Sequence, residues 1–296
     1  SRPNTPAGAA QKIAVARFWP PNAAVAKKVT TMNSSIHWPA EAIWESVAPE
    51  LPGFSVEILP QVDSTNSELM RRAHAGRMEP VLLVAQQQTA GRGRLGREWV
   101  SDAQAVSSLT FSLGLPLSPL TWSGLSLAVG VSVAQSLHPQ LRLKWPNDLW
   151  LHDRKLGGIL IETANWGGGS ALRYAVVGVG LNIRSPEAQG LRTPPAWLGE
   201  VLASVDAPQA LLRIVAPLVQ AIKQFESAGF GQFQKRFNAS DALGGLSVTL
   251  SDGTSGIAQG VDADGALLVQ TDQGMEKITN SEVSVRPLDP PPYENL

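Results

Sequence analysis

Between residues 54 and 58, apolar Phe54, Val56 and Ile58 alternate with polar Ser55 and Glu57, the period-2 pattern of a strand with one buried face. The period then changes. In "DSTNSELMRRAHAG", residues 63–76, Thr65 and Glu68 stand at capping-box spacing, so a helix is expected from Asn66 and Gly76 is placed to end it. "PVLLVA", residues 80–85, is a short continuous apolar run suited to a buried strand. Further on, Leu109, Phe111, Leu113 and Leu115 alternate with Ser108, Thr110 and Ser112 as a second strand. Ser118-Pro119 has the order of a cap followed by proline and predicts a helix reaching Leu137, apolar on most sides, therefore buried, and stopped by Pro139. Three more strands are expected in "LRLKW", "KLGGILIET" and "RYAVVGVGLNI". The short turns between them favour antiparallel pairing, because a parallel return needs about a dozen connecting residues.

Leu211, Leu212, Val215, Leu218, Val219, Ile222 and Phe225 recur at helical spacing and predict an amphipathic helix from Asp206 to Phe225, closed by Gly229. Beyond Asp241 the text changes to short β segments separated by Asp252-Gly253, Asp264-Gly265 and Gln273-Gly274. These are hairpin signals, and roughly 50 residues of them predict a small barrel. The opening of the chain carries little periodicity beyond one helical candidate, "PAEAIWESV", and Met32 is a candidate translation start. The expected division is an extension at 1–40, a main domain at 41–240 and a small β domain at 241–290.

Composition narrows the chemistry. A chain of 296 residues, 43% hydrophobic and 17% charged, can bury a sizeable core. No apolar run approaches the roughly 18 to 20 residues of a membrane span and no signal-peptide pattern opens the sequence, so no membrane association and a cytoplasmic location are expected. The absence of cysteine removes disulfides, thiolate metal sites and enzyme thioesters. His37, His74, His138 and His152 lack metal-ligand spacing, and no protein metal site is expected. A formal net charge of −1 argues against a surface coated with nucleic acid, so any cationic site must be local.

One such site is legible. "TAGRGRLGREW", residues 89–99, has the dinucleotide spacing G-x-G-x-x-G at Gly91, Gly93 and Gly96. A nicotinamide fingerprint also needs a strand-to-helix turn, small spacers and an acid about 20 residues on. Here a strand follows, the spacers Arg92 and Arg94 are bulky cations, and Phe111-Ser112-Leu113-Gly114 carries no acid. No P-loop pattern occurs either. What remains is a glycine-hinged loop presenting the guanidinium forks of Arg92, Arg94 and Arg97, each suited to two phosphate oxygens. A solvated turn, or a turn gripping RNA, has the same local composition. A second stretch, "KWPNDLWLHDRKLGGILIET", residues 144–163, sets Lys144, Asp148 and Lys155 around an antiparallel pair, where their side chains could converge. Singly they read as surface cations and a turn residue. With the arginine loop they form a cationic pocket holding one acid, in which Gly157-Gly158 would let a ligand approach the backbone.

At these residues the chain resembles the biotin protein ligases. Four pieces stand in that family's order: "STN" at 64–66, "QTAGRGRLGREW" at 88–99, "KWPNDLWL" with "KLGGILIE", and "GVGLNI" at 178–183. The resemblance spans roughly residues 55–290 and implies an α+β fold. That fold is a mixed, largely antiparallel sheet flanked by helices, the class II synthetase-like biotin/lipoate ligase catalytic domain, with a small C-terminal SH3-like β-barrel. It implies ATP-dependent activation of biotin to biotinyl-5′-AMP, then transfer to a lysine of the biotin carboxyl carrier protein.

By the same resemblance Ser64, Thr65, Asn66, Gln88, Gly91, Arg92, Lys155 and Gly158 would contact biotin. Arg92, Arg94, Arg97, Lys144, Asn147, Asp148, Lys155, Asn182 and Trp197 would face ATP or the adenylate, with Lys155, Arg92 and Arg94 as the catalytic cations and Trp197 over adenine. Mg2+ would arrive with ATP, held mostly by phosphate oxygens and water, with Asp148 as a helper. A lipoate or octanoate ligase has the same general fold but needs only an apolar tunnel, whereas Ser64, Thr65 and Gln88 offer polar contacts. Some relatives open with a winged helix-turn-helix. The single helical candidate in the first 50 residues falls short of it, so specific DNA binding is not expected, and a homodimer is left open.

Overall fold

In a computed structural model of the chain, residues 36–99, 107–165, 171–186, 194–279 and 285–288 are described. The expected extension and Met32 lie almost wholly outside these residues. The helical candidate near the start forms α1 (Ala40–Val47), which buries Ile43 and Val47. It is followed by β1 (Ser55–Val62), α2 (Thr65–His74) and β2 (Val81–Gln88). The strands β1 and β2 pair in parallel, with α2 as the crossover. Next come a two-stranded ribbon of β3 (Gly91–Arg92) and β4 (Glu98–Trp99), then β5 (Ser108–Leu117), α3 (Leu125–Leu137), β6 (Arg142–Lys144) and β7 (Asp148–Leu151). The main sheet is completed by β8 (Arg154–Asn165) and β9 (Arg173–Asn182). Its order is β1-β2-β5-β9-β8-β7-β6, antiparallel at every pair after the first, and for β6 to β9 this is the pairing that the short connections favoured.

Alternation along the strands decides what each face meets. Leu82, Val84, Leu109, Phe111, Leu113, Val177 and Val179 join the large core, which also holds α1, α3, α4 (Ala207–Ala228) and α5 (Gly231–Ala239). Val81, Leu83 and Val176 face the other way, onto Leu69 and Ala73 of α2. The sheet thus lies between two helical layers. The polar members of the β5 alternation do not face water: Thr110 and Ser112 are buried, on the α2 side.

Two helix starts differ from the sequence reading. The cap of α2 is Ser64, whose hydroxyl accepts from Ser67 N at 3.4 Å, and Thr65 is already helical. The Thr65 hydroxyl is diverted to Gln88, and Glu68 pairs with Arg71 and Arg72, so no capping box forms. The helix expected from Ser118 begins at Leu125. Strand β5 runs on to Leu117, Ser118 N donates to Glu226, and Leu120 is fully exposed. The start is set from outside. Gly124 caps α3 at φ 81°, packed so closely on Phe230 that a Cβ there would lie 2.6 Å from that ring. The amphipathic helix α4 matches its expected start, capped by Asp206 through Gln209 N, and ends at Gly229.

Helix α5 leads into β10 (Ser247–Leu250), β11 (Ser255–Val261), β12 (Leu267–Thr271), β13 (Gly274–Ile278) and β14 (Val285–Pro287). They form a five-stranded antiparallel sheet, β13-β12-β11-β10-β14. Among the described residues no ladder joins its two edges into a closed barrel. Its inner residues Val248, Val261, Leu267 and Val269 belong to the same core as α3 and α5. The Trp145 indole donates to Gly265 O at 3.1 Å and Ser123 Oγ to Asp264 O at 2.6 Å, so the sheet is registered against the main domain by directed bonds.

Candidate functional site

The α2 crossover places its first turn against the buried polar face of the main sheet. Thr65 donates to Gln88 Oε1 from its backbone N (2.7 Å) and from its hydroxyl (3.1 Å). Ser112 Oγ lies 2.7 Å from Thr65 Oγ1 and 2.6 Å from Asn66 Oδ1. The Asn66 amide donates to Leu160 O at 3.1 Å and to Glu162 Oε2 at 3.0 Å. Gly178 makes room for it, since a Cβ there would stand 2.2 Å from Asn66 Oδ1. Ser64, Thr65, Asn66, Gln88 and Ser112 are all buried. With its oxygen held by Thr65, Gln88 turns its amino group toward Gly91. The result is a neutral, prealigned polar floor.

The arginine loop folds as the β3–β4 ribbon over one wall. Gly91 has no room for a side chain: a Cβ would meet Trp99 O at 2.2 Å. At the tip Leu95 adopts φ 57° and Gly93 N donates to Arg97 O at 2.7 Å. Arg92 engages Glu162 at 2.8 Å and Ser67 at 3.1 Å, while Arg94 reaches Asn147 Oδ1 at 2.7 Å. Trp99 lies over Gly180, where a Cβ would be 2.6 Å from its ring.

Opposite stands the charged end. Lys155 Nζ pairs with Asp148 Oδ1 at 2.8 Å across the β7–β8 hairpin, whose two turn residues, His152 and Asp153, both take positive φ. Lys144 stacks on Trp150 at 4.8 Å. Burial pushes its pKa down to about 8; Asp148 opposes that shift, while Lys155, Arg286 and Arg97 add to it. Asn147 donates to Ile159 O at 2.7 Å and so fixes the Arg94 partner on the turn between β6 and β7.

One cavity of about 200 Å³ is lined by Ser64, Thr65, Asn66, Gln88, Arg92, Arg94, Arg97, Lys144, Asn147, Asp148, Lys155 and Gly158. Twelve of the fifteen residues singled out from sequence therefore meet in one place. Gly91 stands behind the ribbon wall. Asn182 and Trp197 do not line this cavity: Asn182 donates to Ala196 O at 3.0 Å, and Trp197 lies 5.8 Å from the Arg154 guanidinium. Asn182 ends β9 and holds the segment carrying Trp197, which Ala196 N also ties to Lys155 O at 2.9 Å. The sequence reading missed Trp99, Thr110, Phe111, Trp145, Val285 and Arg286 as lining residues, and Ser112 and Glu162 as supports. The β5 alternation carried a signal for Thr110 and Ser112. Arg286 had none, because it reaches the cavity from β14.

The cavity thus joins a neutral hydrogen-bonding floor to a cluster of cations, an arrangement suited to a ligand with a polar head at one end and negative charge at the other. Over residues 58–182 the chain matches the Biotin/lipoate A/B protein ligase family, and over 247–286 the Biotin protein ligase C terminal domain. It is 33% identical over 251 residues to the bifunctional ligase/repressor BirA of Escherichia coli (82% of this chain, 77% of that one). It is 32% identical over 250 residues to the biotin--[acetyl-CoA-carboxylase] ligase of Paracoccus denitrificans (76% and 98%). The biotin protein ligase from Aquifex aeolicus, solved in complex with biotin and ATP, superposes with a TM-score of 0.67 at 29% identity (78% of this chain, 98% of that one). The chain belongs to the biotin protein ligase family.

Proposed function

We propose that this protein activates biotin with ATP to biotinyl-5′-AMP and transfers the biotin to a lysine of a biotin carboxyl carrier domain. The carrying observation is the single cavity that joins the polar floor to the cationic end. Ser64, Thr65, Asn66 and Gln88 suit the ureido ring, a neutral group with donors and acceptors, and Gly158 leaves space beside the tail. In the first step a biotin carboxylate oxygen attacks the α-phosphorus and pyrophosphate leaves. In the second the acceptor amine attacks the mixed anhydride, loses a proton and releases AMP. Both nucleophiles come with substrates, so the protein has to hold two anions together and stabilise charge on the phosphate. Lys155 suits the carboxylate and α-phosphate, and Arg92, Arg94, Arg97, Lys144 and Arg286 suit the remaining phosphate charge, with Asn147 and Asp148 orienting them. Asn182 and Trp197 are assigned to the nucleotide side by the family resemblance, and Ala196, which accepts from Asn182 and donates to Lys155 O, links them to the charged end.

Among the described residues no group of acids and histidines could hold a metal unaided. The donor set fits an ion that enters on the nucleotide: Mg2+ would be held by phosphate oxygens and water with Asp148, neutralising triphosphate charge. A lipoate or octanoate substrate is the second reading. An apolar acyl chain would make no hydrogen bond to this polar floor, so the floor favours a substrate whose head group carries donors and acceptors. Incubating the chain with ATP and either biotin or lipoate, with the adenylate identified by mass, tests both readings. Biotinyl-AMP is expected, and lipoyl-AMP alone would replace the proposal. The arginines turn into the cavity or onto acids, which favours a small phosphate ligand over RNA.

A further inference from the structure

Glu162 has no place in the reaction just described, yet it joins the two ends of the site. It lies on β8, on the same sheet face as Gly158 and Leu160, and its carboxylate is mostly buried. It accepts from Asn66 Nδ2 at 3.0 Å on one side. On the other it accepts the fork of Arg92, at 2.8 Å from Nη2 and 3.4 Å from Nη1. An unbroken chain of contacts therefore runs from ribbon to floor: Arg92, Glu162, Asn66, Ser112, Thr65, Gln88. The charge balance gives the carboxylate a purpose. Arg92, Arg94, Arg97, Lys144, Lys155 and Arg286 line one cavity, and repulsion among them opposes closure of the ribbon before any phosphate is present. Asp148 is already committed to Lys155.

We infer that Glu162 is a positioning residue that latches the arginine ribbon to the polar floor in the ligand-free protein, standing in for the phosphate charge and setting Asn66 for the incoming ring. This inference rests on the biotin-ligase reading. The latch holds Arg92 by charge and Asn66 by hydrogen bonding, so the two roles separate in different variants. Glu162→Gln keeps an acceptor for Asn66 but gives up the ion pair, and Glu162→Asp keeps the charge on a shorter arm.

The test has two readouts. The first is limited trypsinolysis of the ligand-free full chain, comparing cleavage at Arg92, Arg94 and Arg97 with cleavage at exposed Arg77 after α2. Glu162→Gln should accelerate ribbon cleavage about five- to tenfold with Arg77 unchanged, the scale of losing one charge-assisted pair. Biotin with ATP should restore protection as phosphate replaces the carboxylate. Glu162→Asp should fall between Glu162→Gln and the parent. The second readout is escape of the adenylate, read as biotin on the lysines of added serum albumin. It should rise in Glu162→Gln and rise no further in Glu162→Gln/Arg92→Gln than in Arg92→Gln alone. Ribbon cleavage unchanged in a folded Glu162→Gln, equal acceleration at Arg77, or additive escape in the double variant would overturn the latch. Failure of the parent chain to form biotinyl-AMP would instead sink the functional reading and leave the proteolysis result standing.

Discussion

The two ends of the cavity are built on opposite plans. The floor is neutral, buried and stitched by hydrogen bonds among Thr65, Asn66, Gln88 and Ser112, all on the sheet or the first turn of α2. At the charged end, cations come from a ribbon, a hairpin and the C-terminal sheet, with Lys155 almost half exposed. A neutral ring can be recognised only by short, directed contacts that fade within an ångström, so its partners have to be fixed before it arrives. Phosphate charge acts over several ångströms, and cations drawn from separate elements can share it. The floor therefore concentrates its energy in few contacts, whereas the charged end spreads it over many, apart from Lys155, the one cation proposed to meet both reacting groups.

Substitutions should expose that contrast, beginning with the exception. Lys155→Ala is expected to slow biotin-dependent pyrophosphate release about 100-fold or more, the scale of removing a preorganised donor at the developing charge. A loss under tenfold in a folded variant would mean that the charged end has no focal residue. Ser112→Ala leaves Asn66 and Thr65 facing a buried methyl and should raise the KM for biotin about tenfold, with kcat within about threefold and the KM for ATP unchanged. A matching rise in both KM values would erase the distinction between the ends.

The pH dependence sharpens it. Because Lys144 has its pKa lowered to about 8, it is charged below that pH and loses its proton above it. Bound phosphate should pull the proton back, so the KM for ATP should climb about three- to tenfold from pH 7.5 to 9 while the KM for biotin stays level. Lys144→Arg, which keeps its charge throughout, should flatten the ATP profile. The smallest effect is expected at Arg286, an exposed cation on β14. Arg286→Gln should raise the KM for ATP only about two- to fourfold, and a loss comparable to Lys155→Ala would show that the charge is not shared.

Legibility in the sequence followed the same contrast. Local periodicity gave most of the strands, α2 and α4, though not β7 or the β3–β4 ribbon, and the glycine- and arginine-rich stretches marked most of the lining, because these signals lie within a few residues of one another. What escaped was decided at long range. The start of α3 is fixed by Gly124 against Phe230, some hundred residues away in the chain. The Thr65 hydroxyl abandons its capping position for Gln88. Helix α5 was not anticipated: its nine residues bury only Phe233 and Phe237, too few to establish a period. Arg286 becomes a cavity residue only because the C-terminal sheet docks where it does. The polar residues of β5 were visible, but an alternating pattern does not say whether its polar side meets water or a ligand.

That docking has a consequence for chimeras. Gly124 and Gly265 meet backbone to backbone: a Cβ on Gly265 would lie 2.9 Å from the Gly124 Cα, and both take positive φ. The neighbouring Trp145, which donates to Gly265 O, sits in the turn that carries Asn147 and leads into Asp148 of β7. Grafting a homologous tail onto this chain would therefore not be a modular exchange. A donor lacking glycine at the position of Gly265 would arrive tilted, and its arginine would miss the phosphates even with the whole main domain intact.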